Sequence, residues 1–167
     1  MNQEEIVTIV DKNNQVIGST TRAEMRTKCL GHRATYILVF NRKGEIFVHK
    51  RTTTKDVYPG FYDVAAGGVV LADESYEESA ERELGEELGI QNIPLKTLFD
   101  FYYEEPKSSV WGKVFSCEYD GKIVLQKEEI ESGEFMSIER IFEMAAKEKF
   151  TPDGMYVLKR YLAENRN

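Results

Sequence analysis

The stretch ERELGEELGI, from Glu81 to Ile90, places four glutamates within seven residues and a glycine among them. An α-helix has about 3.6 residues per turn, so like charges three or four positions apart repel by roughly 0.3 kcal/mol per pair. Gly85 costs roughly another 1 kcal/mol relative to alanine. A helix with these costs either presents a solvated acidic face or holds a cation, and the residues around it decide between the two.

The helix that contains this stretch has recognisable ends. Ser75 and Glu78 have the spacing of a capping box at the N-terminus, and Gly89 suits the C-terminal stop. The sequence therefore predicts a helix of about four turns. One stripe of this helix is apolar and consists of Tyr76, Ala80, Leu84 and Leu88. Close packing of the helix against a glycine loop is one explanation for Gly85.

Three of the glutamates lie beside the apolar stripe. Glu83, Glu86 and Glu87 share a sector of the helix, and Glu87 falls inside the edge of the stripe. A carboxylate at a core boundary costs several kcal/mol unless it is paired or binds a metal, and hard cations such as Mg²⁺ prefer carboxylate oxygens. Arg82 points to a different face, where it can pair with an acid from outside this cluster, and Glu81 is predicted to be solvated.

The composition describes one ordinary globular domain. Of 167 residues, 41% are apolar and 31% are charged, and the net charge is -7. This acidity argues against general binding to nucleic acid or to anionic membranes, both of which need basic surface. The first residues are acidic where a signal peptide is basic, and no apolar run approaches the roughly 18 residues of a membrane span. The sequence therefore predicts a cytoplasmic protein, and it leaves the oligomeric state open.

The segments before the helix read mainly as strands. EEIVTIVD and QVIGST form a predicted strand pair, followed by a short helix in which Thr21 and Glu24 have capping-box spacing. We interpret residues 1–30 as an N-terminal addition within the same unit and residues 31–167 as the main domain. RATYILVFN and EIFVHKR predict a β-hairpin, and FYDVAAGGVV predicts a strand in which paired glycines allow close backbone approach.

The segments after the helix continue this alternation. PLKTLFDFYYEE, SSVWGKVFSCEY and KIVL read as strands, and IERIFEMAAKEK and PDGMYVLKRYLAENR read as helices. Strands in the middle of the chain with helices at intervals favour an α/β (α+β) fold, with a mixed β-sheet packed between helices.

The acidic helix belongs to a longer pattern that begins at Gly68. Written out, the pattern is G-x5-E-x7-R-E-U-x-E-E-x-G-U, where U is an aliphatic residue. It resembles the signature of the Nudix hydrolases at nine positions, namely Gly68, Glu74, Arg82, Glu83, Leu84, Glu86, Glu87, Gly89 and Ile90. Nine specified positions coincide by chance far less than about once in 100,000 chains of this size. The resemblance extends from about residue 32 to residue 90.

The resemblance implies an α/β/α sandwich and a metal-dependent hydrolase. Its substrate would be a nucleoside diphosphate linked to another moiety, and its cofactor would be Mg²⁺ or Mn²⁺. By position, the metal ligands are Glu83, Glu86 and Glu87, with a backbone carbonyl of Gly67 or Gly68. Glu74 would pair with Arg82. Bound cations could bridge the diphosphate and activate a water for attack at phosphorus. The general base is left open among Glu83, Glu86, Glu104, Glu105 and Glu134.

Two basic residues bracket the loop before the sequence YPG. Arg51 and Lys55 could reach the substrate diphosphate from the side opposite the metal, although solvated loop charges would look the same. Several aromatic residues could stack on a base or cover a prenyl chain, although most aromatics at strand spacing belong to a core. The predicted partner is thus a small-molecule diphosphate.

Part of the chain also resembles type I isopentenyl diphosphate isomerase. The resemblance rests on GHRATYILVFNRKGEIFVHKR and YPGFYD. Gly67 occupies the position of the isomerase cysteine, and Val69 occupies that of a metal-binding histidine. Of the isomerase's catalytic and metal-binding residues, only His32 remains. The hydrolase glutamates, by contrast, are complete. We therefore favour an isomerase-like branch of the hydrolases, with the isomerase itself and a noncatalytic nucleotide-binding domain as alternatives.

Overall fold

The computed structural model describes residues 2–165, and a sheet of eight strands organises them. The strands are β1 (Ile6–Val10), β2 (Val16–Thr21), β3 (Gly31–Phe40), β4 (Ile46–Arg51), β5 (Tyr62–Asp63), β6 (Lys96–Glu105), β7 (Ser108–Glu118) and β8 (Ile130–Met136). The helices are α1 (Arg22–Thr27), α2 (Tyr76–Leu88), α3 (Ile138–Ala145) and α4 (Pro152–Glu164). None of the helices within residues 2–165 is long and apolar enough to cross a membrane.

Strand β3 lies at the centre of the sheet. It pairs in parallel with β7 along its whole length, and it is antiparallel to β1 and β4. Strand β2 pairs with β1, β6 pairs with β7, and both β5 and β8 pair with β4. The continuous run of β-branched and aromatic residues in β3 suits a strand that is covered on both faces.

Helices cover the two faces of this sheet. On one face, α2 packs its apolar stripe against residues of β3 and β7, namely Ile37, Val39 and Phe115. On the other face, α3 and α4 pack Ile141, Val157 and Leu158 against the intervening residues Tyr36, Leu38 and Val114. Successive side chains of a strand point to opposite faces, so β3 supplies both cores in turn. The predicted α/β/α sandwich with a mixed sheet is confirmed.

The predicted strand at residues 122–125 is wrong, because this segment caps a helix instead. Val124 N donates to Leu88 O at 3.0 Å, and Gln126 N donates to Glu87 O at 3.0 Å. These are carbonyls at the end of α2, which have no partner within the helix. The sequence reading missed β8, whose polar centre lies exposed while its ends, Ile130 and Met136, are buried.

The two predicted capping boxes differ in outcome. At α2 both hydrogen bonds between Ser75 and Glu78 form, and Gly89 ends the helix in the left-handed conformation with φ 68°. At α1, Thr21 Oγ1 accepts from Glu24 N at 3.1 Å, but the Glu24 carboxylate turns to Thr20 and Lys28. The second box is therefore only half formed, because nearby donors compete for the same carboxylate.

The segment after β5 carries the paired glycines past the sheet. Only Tyr62 and Asp63 form a regular strand, and single bridges then join Ala66 to Ile37 and Val69 to Ala34. Gly67 and Gly68 lie between these two bridges to β3, so pairing with the central strand fixes the position of their backbone.

The described part of residues 1–30 packs on the same sheet. Strand β1 meets β3 at His32, and Met25 of α1 is buried against Val7, Ile9 and Val69. The division at residue 30 stays a prediction, but this packing brings α1 next to the paired glycines.

Gly85 does not pack against the glycine loop. A Cβ built at Gly85 would meet Gln91 Nε2 at 3.5 Å and Ile90 O at 3.8 Å, which are ordinary contacts. We therefore expect Gly85→Ala to raise the free energy of unfolding by about 0.5–1 kcal/mol, because alanine loses less backbone freedom in a helix. Urea denaturation measures this difference, and a lower unfolding free energy would contradict it.

Candidate active site

Helix α2 and the paired glycines form a cleft, which we call the glutamate cleft. Six of its lining residues belong to the sequence pattern or lie next to it, namely Gly67, Gly68, Arg82, Glu83, Glu86 and Glu87. Residues from other parts of the chain also line it, including Arg22, Lys55, Gln126 and Glu129. The structure thus brings the three predicted metal ligands to one concave surface, although they do not all face the same point.

Glu87 is the buried member of the three. Its side chain lies where the helical spacing predicts, at the edge of the apolar stripe, and the residue is only 6% exposed. Glu87 Oε1 accepts a hydrogen bond from Gly67 N at 2.8 Å. Burial, followed by the negative charge of Glu83, raises the pKa of Glu87 to about 8. A buried carboxylate with so little compensation is a site where a cation would be strongly favoured.

Arg82 joins the acids of this region. Its Nε and Nη2 donate to Glu74 at 2.7 and 3.0 Å, which brings together the predicted structural pair. Its Nη1 also donates to Glu83 Oε1 at 2.9 Å and lies 3.3 Å from Glu86 Oε2. We expected Arg82 to point away from the cluster, but its long side chain reaches back to it. The hydrogen bonds to Glu74 are the main cause of the raised pKa of Arg82.

The donor atoms of the cleft suit a hard cation, although their present orientation serves other partners. Within residues 2–165, no three His, Cys, Asp or Glu side chains are arranged to hold a metal ion as they stand. Glu83 and Glu86 turn to Arg82, and Glu87 turns to Gly67 N. Gly68 lies directly against the Glu83 carboxylate, whose Oε1 would be 2.7 Å from a Cβ at residue 68. Carboxylate oxygens are the ligands that Mg²⁺ prefers, so the residues fit the ion.

The backbone of the paired glycines is partly engaged in the sheet. Gly68 O accepts a hydrogen bond from Thr35 N at 2.9 Å. Gly67 has φ 132°, and a Cβ at this position would lie 2.1 Å from Thr35 O. The loop therefore passes so close to β3 that only glycine fits at residue 67.

The structure places the two predicted diphosphate-binding residues differently. Lys55 lies in the glutamate cleft, where its Nζ pairs with the Glu129 carboxylate. Arg51 lies outside that cleft, because its Nε and Nη2 donate to Val57 O at 3.1 and 2.8 Å. The sequence reading missed Arg22, which lines the cleft and is 8% exposed. No local pattern singles it out, since its position depends on how α1 packs against the sheet.

A second cavity adjoins the glutamate cleft at Gly67 and Gly68, and we call it the side pocket. Its walls include Tyr36, Arg51, Tyr58, Asp63, Tyr103 and Asp153. Glu105 also lines this pocket and accepts a hydrogen bond from the Tyr58 hydroxyl. The two cavities therefore share the paired glycines, and three tyrosines line the side pocket.

The other two candidates for general base, Glu104 and Glu134, make their contacts outside both cavities. Glu104 is exposed and accepts from the Tyr102 hydroxyl at 3.0 Å. Glu134 pairs with Arg140 at 2.8 Å, and both side chains are more than half exposed. Neither residue lines the glutamate cleft or the side pocket.

Known proteins resemble this chain in sequence and in fold. The family profile described as NUDIX domain matches residues 30–160. The Nudix hydrolase YfcD of Escherichia coli is 44% identical over 161 residues, which cover 96% of this chain and 88% of YfcD. The crystal structure of DR0079 from Deinococcus radiodurans superposes with a TM-score of 0.81 at 25% identity, covering 93% of this chain and 98% of DR0079. The NUDIX domain of Shewanella oneidensis NrtR, solved with ADP-ribose, shares the fold at a TM-score of 0.67 and 12% identity, covering 88% of this chain and 100% of that domain.

Proposed function

Because the chain belongs to the Nudix hydrolases, we propose that it cleaves a phosphoanhydride bond of a nucleoside diphosphate linked to another moiety, or of a related organic diphosphate. The observation that carries this proposal is the burial of Glu87 beside Glu83 and Glu86 in a cleft lined by glycine backbone. Such a group of carboxylates would repel an anionic substrate, so diphosphate chemistry in this cleft requires a cation.

Divalent cations are general in this family, and we propose Mg²⁺ or Mn²⁺ as the cofactor here. Glu83, Glu86 and Glu87 would hold the ion together with one backbone carbonyl. Gly68 O already accepts from Thr35 N, so Gly67 O is the more available of the two carbonyls. When bound, such an ion neutralises charge on the diphosphate and lowers the pKa of the water that attacks phosphorus.

The other residues of the cleft would brace helix α2 or contact the substrate. Glu74 fixes Arg82 through two hydrogen bonds, so we assign this pair a structural role in bracing α2 against the loop. Lys55 lines the same cleft as the glutamates, and its ammonium group, paired with Glu129 in the free protein, would contact a phosphate oxygen of the substrate. Contact between Arg51 and the diphosphate stays a prediction, and the substrate would have to meet Arg51 from the side pocket.

The positions of the candidate glutamates narrow the choice of general base. Glu83 and Glu86 lie in the glutamate cleft, and Glu105 lies on the wall of the adjoining side pocket. A general base must come within hydrogen-bond reach of the attacking water, directly or through one further water. We therefore keep Glu83, Glu86 and Glu105 as candidates, whereas the exposed ion pair of Glu134 with Arg140 counts against Glu134.

Gly67 favours hydrolysis over isomerisation. It stands where the isomerase has its cysteine, and glycine has no side chain to protonate or deprotonate a carbon atom. The position also has no room for a cysteine, since a Cβ would overlap Thr35 O. We propose that the chain belongs to an isomerase-like branch of the hydrolases. The complete glutamate set counts against a noncatalytic nucleotide-binding role.

A substrate panel tests this function. The purified chain would be incubated with ADP-ribose, a nucleotide sugar, a dinucleoside polyphosphate, a nucleoside triphosphate, coenzyme A and isopentenyl diphosphate, with Mg²⁺, with Mn²⁺ or with a chelator. We expect cleavage of at least one phosphoanhydride that the chelator abolishes, and no formation of dimethylallyl diphosphate. Absence of cleavage by folded protein would contradict the hydrolase proposal. Formation of dimethylallyl diphosphate would contradict the argument from Gly67.

A further inference from the structure

Two connecting segments meet at the side pocket through a single pair of side chains. Tyr58 belongs to the β4–β5 loop, and Glu105 ends β6 where the β6–β7 hairpin turns. Both residues line the pocket and are partly exposed, whereas other lining residues, such as Tyr36 and Ala65, are buried. The Tyr58 hydroxyl donates to the Glu105 carboxylate and lies within reach of both its oxygens. This hydrogen bond therefore joins the loop to the hairpin at the exposed side of the pocket.

Tyr58 is held in a backbone conformation that most residues avoid. Its φ is 47°, in the left-handed region that residues other than glycine, asparagine and aspartate rarely adopt. Tyr58 O accepts from Phe61 N at 3.2 Å, and the two aromatic rings lie 5.2 Å apart. On the other side, Arg51 donates twice to Val57 O, at 3.1 and 2.8 Å. Such conformations persist only where surrounding contacts hold them, and they cluster at ligand sites and switch regions.

The hydroxyl of Tyr58 remains a hydrogen-bond donor at neutral and alkaline pH. Burial, followed by the hydrogen bond to Glu105, raises the pKa of Tyr58. Burial, followed by the charge of Glu105, also raises the pKa of Tyr103 on β6. The Glu105 carboxylate thus lies near two tyrosines of the pocket and accepts its hydrogen bond from the one on the opposite loop.

The first half of the β4–β5 loop is held by other contacts. Asp56 pairs with Arg26 of α1 at 3.1 Å, and Lys55 pairs with Glu129, which precedes β8. Neither of these pairs involves the β6–β7 hairpin. Loss of the hydrogen bond from Tyr58 would therefore free the half of the loop that borders the side pocket, while the first half stays in place.

The side pocket is too small, as it stands, for the organic half of a substrate. Its volume is about 100 Å³, whereas the binding sites of small molecules usually enclose roughly 300–1,000 Å³. Buried strand residues such as Tyr36 and Ala65 belong to the core and cannot move aside without unpacking the sheet. The partly exposed loop that carries Tyr58 is the wall that can move.

We propose that the hydrogen bond between Tyr58 and Glu105 is a clasp, which closes the side pocket in the free protein and opens to admit the organic half of the substrate. The inference rests on the proposed function, because it places this half in the cavity that shares Gly67 and Gly68 with the glutamate cleft. The closed state then lowers the apparent affinity for substrate, since only the open fraction of the protein can bind it.

Hydrogen–deuterium exchange on the metal-free full-length chain tests the clasp without turnover. The amides of Gly60 and Phe61 report opening, because both donate to carbonyls within the loop. We expect Tyr58→Phe to speed their exchange about fivefold, the effect of losing one hydrogen bond. Tyr102→Phe is the matched control, because its hydroxyl bonds to the exposed Glu104 outside the side pocket, and it should change this exchange less than twofold.

Glu105→Ala removes the acceptor of the same hydrogen bond and should speed the exchange of the loop by a similar factor. The double variant with Tyr58→Phe should exchange no faster than the faster single variant, because both changes break one contact. Unchanged exchange within α2 shows that each variant is folded. The inference is overturned if the loop of Tyr58→Phe exchanges as in wild type, or if the two single effects multiply in the double variant.

Steady-state kinetics test whether the clasp controls access. For the best substrate of the panel, Tyr58→Phe should lower KM at least twofold, because a larger fraction of the protein is open. Tyr102→Phe should leave KM within the error of wild type. Faster exchange of the loop in Tyr58→Phe with an unchanged or higher KM would overturn the inference. The expected exchange results without hydrolysis of any panel member would contradict the proposed function alone.

Discussion

Replacing Glu87 with glutamine is expected to lower kcat/KM for metal-dependent hydrolysis at least about 100-fold, which corresponds to about 2.7 kcal/mol of transition-state stabilisation. Glutamine keeps the shape of the side chain, and its carbonyl oxygen can still accept from Gly67 N. The variant loses only the negative charge that would hold the cation. Initial rates on the best substrate of the panel, measured over a range of Mg²⁺ concentrations, give this ratio.

The matched control for this experiment is Glu81→Gln on the same helix. Glu81 is exposed and does not line the glutamate cleft, so its rate should stay within about twofold of wild type. Urea denaturation in a chelator at about pH 9, above the raised pKa of Glu87, should show that Glu87→Gln is at least as stable as wild type, because a buried charge is removed there. Full activity of the folded Glu87→Gln variant would contradict the assignment of Glu87 to the metal.

Replacing Gly67 with alanine is expected to lower the free energy of unfolding by about 3 kcal/mol or more. The backbone at residue 67 has φ 132°, which side chains rarely tolerate, and the new Cβ would lie 2.1 Å from Thr35 O. The loop or β3 must therefore shift, and the hydrogen bond from Gly67 N to Glu87 shifts with it. Urea denaturation at neutral pH measures the loss, and activity should fall with it.

Gly18→Ala provides the control for the glycine substitution. A Cβ at Gly18 meets nothing within 4 Å on the exposed strand β2, so its unfolding free energy should change by less than about 0.5 kcal/mol. Gly67→Cys should be as destabilised as Gly67→Ala, and it should not gain isomerase activity. A stable Gly67→Ala variant would show that β3 and the loop are less tightly packed than the structure indicates.

Much of the predicted fold followed from local periodicity. The capping box at Ser75, the stripe of α2 and the buried edge at Glu87 all depend on residues within a few turns of one another. Where the composition of a segment disagreed with its tertiary contacts, the secondary structure predicted from local sequence was wrong. The apolar segment at residues 122–125 supplies amides to the end of α2, and the polar segment of β8 joins the sheet beside β4.

By itself, the sequence determined the family, the sandwich fold and the helix that carries three glutamates, because these depend on spacings between residues close along the chain. Only the tertiary structure decided which groups surround that helix. It turned Arg82 back to Glu83 and Glu86, brought Arg22 and Lys55 to the glutamate cleft, and placed Arg51 at the side pocket. The approach of Asp63 to Gly154 in the first turn of α4 likewise depends on how α4 packs against the sheet. Such contacts join residues far apart in sequence, so they follow from strand register and helix packing, which no local spacing encodes.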